Sequence, residues 1–246
     1  MTAATAPLRD AEAAGAARWR DAVAAAALLA VDPAGLFGAS VRAAPGPVRD
    51  RWIEALKAMR GAASFLTAPH SIDEERLIGG LDLAASLRAG APVAERGLLA
   101  RADGGVLLLR MADRASASVA ASIAAALDQR TVIVERSGVS SATPTSFSLV
   151  MLDEGAGPDE AAPRILCDRV AFLIDLEGVR VAACGAASAN AKRIEAARAL
   201  LGDVTVSDDL MAAVNAAAIA HGVVSVRALQ FAIRATRAAA ALHGRF

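Results

Sequence analysis

The stretch that most constrains this chain is residues 43–50, AAPGPVRD, between a predicted strand at 36–42 and a predicted helix at 48–60. A strand, a loop and a helix in this order form a phosphate-binding unit when the loop reads G-x-x-x-x-G-K-S/T. In that pattern, backbone N–H groups and the lysine hold phosphates, and the hydroxyl binds Mg²⁺. The frame therefore predicts a nucleotide-binding fold.

The loop departs from that pattern at every position that carries its chemistry. Ala43 and Val48 replace the two glycines, Arg49 replaces the lysine, and Asp50 replaces the serine or threonine. Asp50 would put negative charge where a hydroxyl should meet the metal and the phosphates, and the prolines on both sides of Gly46 remove N–H donors. We therefore interpret Gly46, Arg49 and Asp50 as the remnant of a nucleotide site whose chemistry is lost.

Composition excludes several classes of protein. The 246 residues carry no net charge, which argues against a nucleic-acid partner. The longest apolar run, at 22–31, is far shorter than the roughly 18 residues that span a bilayer. Cys167 and Cys184 are too few for a disulfide framework or a metal site, and the three histidines are scattered, so we expect a cytoplasmic protein without a bound metal.

Hydrophobic patterning predicts an α/β fold with a parallel sheet flanked by helices, followed by a small all-helical domain. The run Val106–Leu109 is continuously apolar, as expected of a buried parallel strand. We expect a disordered or loosely ordered segment at 1–17, an α/β core at 18–185 and three helices within 186–246. The other predicted strands are 64–68, 131–136, 146–152 and 171–176, with a turn between the second and third of these.

Four stretches carry a resemblance to a known family: LLAVDP at 28–33, LIGGLD at 77–82, ERGLLARADGGVL at 95–107 and LCDR at 166–169. They resemble the AAA+ subunits of magnesium chelatase, which inserts Mg²⁺ into protoporphyrin IX at the first committed step of chlorophyll and bacteriochlorophyll synthesis. The resemblance covers residues 18–246 and implies an AAA+ P-loop NTPase-like core with a helical lid. Because the loop is degenerate, the chain resembles the D subunit rather than the active I subunit.

A second site supports that interpretation. In the I subunit, the buried strand ends in Asp-Glu, which handle Mg²⁺ and the attacking water. Here Arg110 and Met111 follow the strand, and neither a guanidinium nor a thioether can replace a carboxylate. The next strand is expected to end in a polar residue, usually Asn, but the acidic pair 153–154 stands there. We interpret that pair, together with 159–160, as part of a solvated loop rather than a magnesium site.

Two arginines match functional arginines of the family. Arg169 matches the finger that reaches a neighbouring subunit's ATP, and the alternative is a surface ion pair with Asp168 or Glu160. Arg227 matches the sensor arginine of the lid, and the alternative is a solvated helix residue. Arg169 would allow a subunit that does not hydrolyse ATP to complete its neighbour's site.

The resemblance implies a scaffold subunit that assembles with the I subunit's ATPase ring, with ATP and Mg²⁺ at the I subunit and no cofactor in this chain. The family's D subunit continues into a Pro-rich linker and an integrin-I-like domain, which would contact the H subunit. We expect both to be absent here, because the sequence ends at Phe246 without a D-x-S-x-S motif. Two alternatives remain: an active ATPase that uses Arg49 in place of lysine, and a MoxR-like interaction module.

Overall fold

The computed structural model describes residues 6–136, 139–157, 159–186 and 190–245. Its strands are β1 Gly38–Arg42, β2 Phe65–Ala68, β3 Gly79–Leu81, β4 Ala94–Arg96, β5 Val106–Leu109, β6 Thr131–Arg136, β7 Val139–Pro144, β8 Ser148–Asp153 and β9 Phe172–Asp175. Its α-helices are α1 Ala6–Val31, α2 Pro33–Leu36, α3 Pro47–Arg60, α4 Glu74–Ile78, α5 Leu83–Ala89, α6 Leu98–Arg101, α7 Ala117–Gln129, α8 Arg164–Cys167, α9 Ala191–Leu200, α10 Asp208–Ala220 and α11 Val226–Leu242. Short 3₁₀ turns span Ala112–Arg114 and Val181–Ala183.

Five strands form one parallel sheet in the order β2-β5-β8-β1-β9. In its registers, Phe65 lies opposite Val106, Val106 lies opposite Ser148, and Ala39 lies opposite Phe172. Helices alternate with these strands along the chain, and α9 to α11 follow the last strand. The predicted fold class, a parallel sheet flanked by helices with a helical C-terminal part, is confirmed.

The chain divides into two compact units. The first comprises residues 1–62 and 171–246, and the second comprises residues 63–170. This division differs from the predicted one at residue 185, because β9 pairs with β1 and so belongs, with α9 to α11, to the first unit.

The first helix is longer than the sequence pattern predicted. The sequence pattern placed the start of this helix at Arg18, after a disordered or loosely ordered segment at 1–17, but α1 already begins at Ala6. Residues 6–17 are thus helical, whereas residues 1–5 lie outside the described part of the chain. The segment is rich in alanine, the residue with the highest helix propensity. Although α1 has 26 residues, no described helix combines the length and apolarity needed to cross a membrane.

The apolar residues of the predicted helix at 48–60 recur at helical spacing, which predicts an apolar face, and this face of α3 forms part of the core of the first unit. Trp52, Leu56 and Met59 are buried, and Ile53 beside them is half-buried. The indole Nε1 of Trp52 donates a hydrogen bond of 2.8 Å to the carbonyl oxygen of Ala22 on α1. The two helices are therefore joined by a specific polar contact inside an aliphatic core.

Arginines on α11 bind carbonyl oxygens elsewhere in the first unit. Arg237 donates from Nε to Val204 at 3.0 Å and from Nη2 to Leu201 at 2.9 Å. Arg234 donates to the carbonyl oxygen of Gly35 at 2.7 Å. These contacts attach α11 to the chain after α9 and to α2. By contrast, α10 has no buried residue.

The second unit is built around β5 and β8. Every residue of both strands is buried, as the apolar run predicted for β5. On α7, the side chains of Val119, Ile123 and Leu127 are buried at helical spacing. Ser116 caps this helix by accepting the N–H of Val119 at 3.2 Å.

The sequence interpretation missed one hairpin in the second unit. We predicted a turn after residue 136, but Val139–Pro144 is a strand antiparallel to Thr131–Arg136. Its sequence, VSSATP, lacks the strong alternation that identifies a strand, and it pairs with a strand whose Val132 and Val134 are buried. Gly138, which falls within the predicted turn between residues 136 and 146, lies outside the described residues.

Trp52→Phe should lower the free energy of unfolding by roughly 2 kcal/mol, because it removes the indole hydrogen bond and leaves space in the core. The matched control is Trp19→Phe, since Trp19 donates to the carbonyl oxygen of Gly185 at 2.9 Å. Gly185 is exposed, so water replaces the lost donor and the cost is smaller. Urea unfolding measures both variants, and equal losses would contradict this account.

Candidate functional site

The loop between β1 and α3 offers few donors to a phosphate. Ala44 and Pro45 are exposed, Gly46 precedes the helix, and Pro47 is its first residue. Proline suits the first helical position because its missing N–H would have no partner within the helix. An anion at a helix N-terminus uses those same N–H groups, so Pro47 removes one of them.

The charged side chains of this loop are placed unfavourably for nucleotide binding, because the cation is buried and the anion is exposed. The Arg49 side chain is 7% exposed and belongs to the buried stripe of α3, whereas the Asp50 side chain is 65% exposed. Arg49 Nε lies 3.9 Å from Asp50 Oδ1. An incoming phosphate would therefore meet a carboxylate in solvent, while the guanidinium lies inside the unit. These residues do not fit ATP with Mg²⁺.

The end of β5 carries a cation. Arg110 is exposed, and its backbone N–H donates to the carbonyl oxygen of Ala68 at 2.9 Å, which extends the pairing with β2. Met111 adopts φ 47° and ψ 53°, a left-handed conformation that turns the chain into the 3₁₀ segment Ala112–Arg114. Neither side chain provides the oxygen ligand that Mg²⁺ requires.

A carboxylate near this edge escaped the sequence interpretation. The Asp113 side chain is 3% exposed, and its Oδ1 accepts the backbone N–H of Glu154 at 3.0 Å. Asp113 therefore fastens the turn after β5 to the residue that follows β8. The two residues are 41 positions apart in the sequence, so no local pattern could have indicated this contact.

Asp153 is structural rather than solvated. It is 5% exposed, with Oδ1 accepting the N–H of Gly155 at 3.0 Å and Oδ2 accepting the N–H of Ala162 at 3.1 Å. A Cβ at Gly155 would lie 2.0 Å from the carbonyl oxygen of Glu160, so the closed loop admits only glycine there. The predicted solvated acidic loop is therefore wrong for Asp153, because its carboxylate closes the loop from inside.

The buried carboxylates near the ends of β5 and β8 thus hold the main chain. Asp113 and Asp153 both accept backbone N–H groups, which compensates for the cost of their burial. Among the residues that the structure describes, no three His, Cys, Asp or Glu side chains cluster in a way that could hold a metal ion.

Arg169 lies just beyond α8 and is held within its own unit. Its Nε and Nη2 donate to Oδ2 of Asp128 at 2.9 and 2.5 Å, and its Nη1 donates to the carbonyl oxygen of Ile165 at 2.7 Å. The Arg169 side chain is 18% exposed and that of Asp128 is 35% exposed. Arg169 therefore forms an ion pair, as the alternative interpretation expected, but its partner is Asp128 on α7 rather than Asp168 or Glu160.

Arg227 lies in the first turn of α11. The preceding Ser225 caps the helix by accepting the N–H of Ala228 at 3.3 Å, and Arg227 itself is half-buried. A cation at a helix N-terminus is opposed by the helix dipole, so helix stability does not explain this residue. Its role as a sensor stays a prediction.

The predicted site residues are divided between the two units. The first unit holds Gly46, Arg49, Asp50 and Arg227, and the second holds Arg110, Met111 and Arg169. Within the second unit, Arg110 continues from β5, whereas Arg169 is held by α7 and α8.

Sequence comparison identifies relatives of the chain. No protein-family model matches it. It is 37% identical to the magnesium-chelatase 60 kDa subunit of Cereibacter sphaeroides, covering 92% of this chain and 37% of that protein. It is 30% identical to the magnesium-chelatase 67 kDa subunit of Chlorobaculum tepidum, covering 89% of this chain and 38% of that protein. The chain is a homologue of these magnesium-chelatase subunits.

The match concerns only part of each relative, since the chain spans 37% and 38% of their lengths. A solved structure of a candidate ATPase from Cytophaga hutchinsonii has the same fold, with a TM-score of 0.63 at 14% identity. That match covers 98% of this chain and 84% of the other. The chain therefore shares its fold with that protein over almost its whole length.

Asp153→Ala should lower the free energy of unfolding by roughly 2–4 kcal/mol, because two buried N–H groups lose a charged acceptor. Asp159→Ala is the control, since Asp159 is exposed, and its effect should stay within about 0.5 kcal/mol. Urea unfolding provides the comparison. If the two variants are equally stable, the carboxylate of Asp153 does not close the loop.

Proposed function

We propose that this chain is the non-hydrolysing AAA+ module of a magnesium-chelatase D subunit. It assembles with a ring of ATPase I subunits and supports ATP-dependent insertion of Mg²⁺ into protoporphyrin IX during chlorophyll or bacteriochlorophyll synthesis. ATP and Mg²⁺ bind at the I subunit. This chain contributes its surface to the assembly and Arg169 to a neighbouring nucleotide site.

The observation that carries the proposal is the exposed Arg110 at the end of β5. P-loop ATPases place a carboxylate at this strand end, where it holds the metal that neutralises charge on the phosphates. Arg110 would repel that metal. The nearest buried carboxylate along the chain, Asp113, accepts a main-chain N–H instead. The loop before α3 adds a second obstacle, since Arg49 is buried and Asp50 is exposed.

The homology supports membership of a chelatase complex. Both relatives are named as subunits, and they match this chain over about nine tenths of its length. In the proposal, contact with the H subunit belongs to the part of those longer proteins that this chain does not span. The chain has two cysteines, Cys167 and Cys184, which are too few for a disulfide framework and agree with the reducing cytoplasm in which we place the complex.

Arg169 is the residue through which the chain would act on its neighbour. A guanidinium is always charged, and its planar array of donors suits phosphate oxygens. Arginine fingers supplied in trans raise the rate of phosphoryl transfer by about 10³–10⁵-fold. Arg169 is partly exposed and already oriented by Asp128, so a neighbour's phosphate could meet it without rearrangement of the fold.

The isolated chain should show no stoichiometric turnover of ATP, because Arg110 stands directly after β5 where an ATPase has a carboxylate, and Arg49 is buried. Release of phosphate by purified chain, compared with Arg49→Ala, tests this expectation. Turnover that disappears in Arg49→Ala would identify the chain as an active ATPase and contradict the proposal.

Mixing the chain with a chelatase I subunit should change that subunit's ATPase rate, and Arg169→Ala should return the rate to that of the I subunit alone. Arg164→Ala is the matched control, since Arg164 is an exposed arginine of the same region. Phosphate release at saturating ATP measures all three mixtures. If Arg169→Ala behaves like Arg164→Ala, the chain does not supply a finger.

A further inference from the structure

We infer that Asp128 is the positioning residue for Arg169, which rests on the proposed role of Arg169 at a neighbour's nucleotide site. Asp128 accepts from both Nε and Nη2, and the carbonyl oxygen of Ile165 accepts from Nη1. The guanidinium is thus held at all three nitrogens by two different helices, α7 and α8. This arrangement fixes the plane and the direction of the group.

The held guanidinium still has donors for a ligand. A guanidinium carries five N–H groups. Three of them make the bonds to Asp128 and Ile165, and these are the only hydrogen bonds of the Arg169 side chain in the described part of the chain. The other two N–H groups lie on Nη1 and Nη2, the terminal nitrogens. They are the donors that a phosphate of a neighbouring subunit would receive.

The position of Asp128 is unfavourable for its own helix. It is the last residue but one of α7, and a carboxylate in the last turn is disfavoured by the partial negative charge of the helix C-terminus. Arg169, to which it is hydrogen-bonded, also lies 41 residues away in the sequence. A residue that opposes its local structure yet makes a long-range pair with a predicted functional arginine indicates a role outside the helix.

The expected contribution is one of preorganisation. An arginine side chain loses substantial rotamer entropy when it is fixed. If the folded subunit already fixes the side chain, this entropy is not lost when the complex forms. Asp128 makes this ordering part of the folded subunit. Its loss should therefore weaken the action of Arg169 on the neighbour without weakening the assembly itself.

The test uses the ATPase rate of a chelatase I subunit mixed with the chain. Asp128→Asn should reduce the Arg169-dependent change in kcat by about tenfold, because the free energy needed to order one arginine side chain corresponds to a factor of about that size. The KM for ATP and the chain concentration that gives half of the maximal effect should not change. Asp128→Glu keeps the carboxylate and should restore most of the effect.

Asp168→Asn is the matched control, because Asp168 adjoins Arg169 in the sequence and is exposed. It should leave the rate unchanged. In an Arg169→Ala background, Asp128→Asn should have no further effect. Asp128→Ser provides the same comparison if Asp128→Asn does not fold, as judged by circular dichroism.

The outcomes separate this inference from the proposed function. If Arg169→Ala removes the chain's effect on the rate but Asp128→Asn gives the same kcat as the unchanged chain, the proposed finger role of Arg169 is supported and the positioning role of Asp128 is wrong. If Asp128→Asn increases kcat, Asp128 restrains Arg169 rather than positions it, and the inference is also wrong. If Arg169→Ala has no effect on the rate, the finger and the positioning role fall together.

Discussion

The second unit depends on the complete burial of β5. Its four residues are apolar and buried, and the strand pairs in parallel with β2 on one edge and β8 on the other. Its position is fixed by pairing on both edges, where Val106 lies opposite Phe65 of β2 and opposite Ser148 of β8. The residues that leave it are therefore placed by the core. Arg110 extends the pairing with Ala68, and Met111 turns the chain away.

The acidic side chains near the buried strands form hydrogen bonds with the backbone or with another side chain. Asp113 and Asp153 accept main-chain N–H groups near the ends of β5 and β8, and Asp128 holds Arg169 on the neighbouring helices. An ATPase would use carboxylates at such a strand end to hold a metal. In this chain the carboxylates stabilise the loops, and the charge presented at the end of β5 is that of Arg110.

Local pattern predicted the elements whose own residues determine them. The continuous run of β5 and the apolar face of α3 are visible in the sequence because buried positions recur at fixed spacing. The strand β7 was missed, since its small polar residues form a strand only through pairing with β6. The start of α1 was misplaced, because an alanine-rich segment has high helix propensity but little periodicity to mark it.

The sequence by itself determined the fold class, the homology and the identity of the residues in the loop between β1 and α3 and at the end of β5, since each follows from residue type and order along the chain. Only the tertiary structure decided where the charges lie. It buries Arg49, exposes Asp50 and pairs Arg169 with Asp128 rather than with Asp168 or Glu160. The physical reason is distance along the chain: the contacts of Asp113 and Asp128 each join residues 41 positions apart, which only the packing of helices on the sheet brings together.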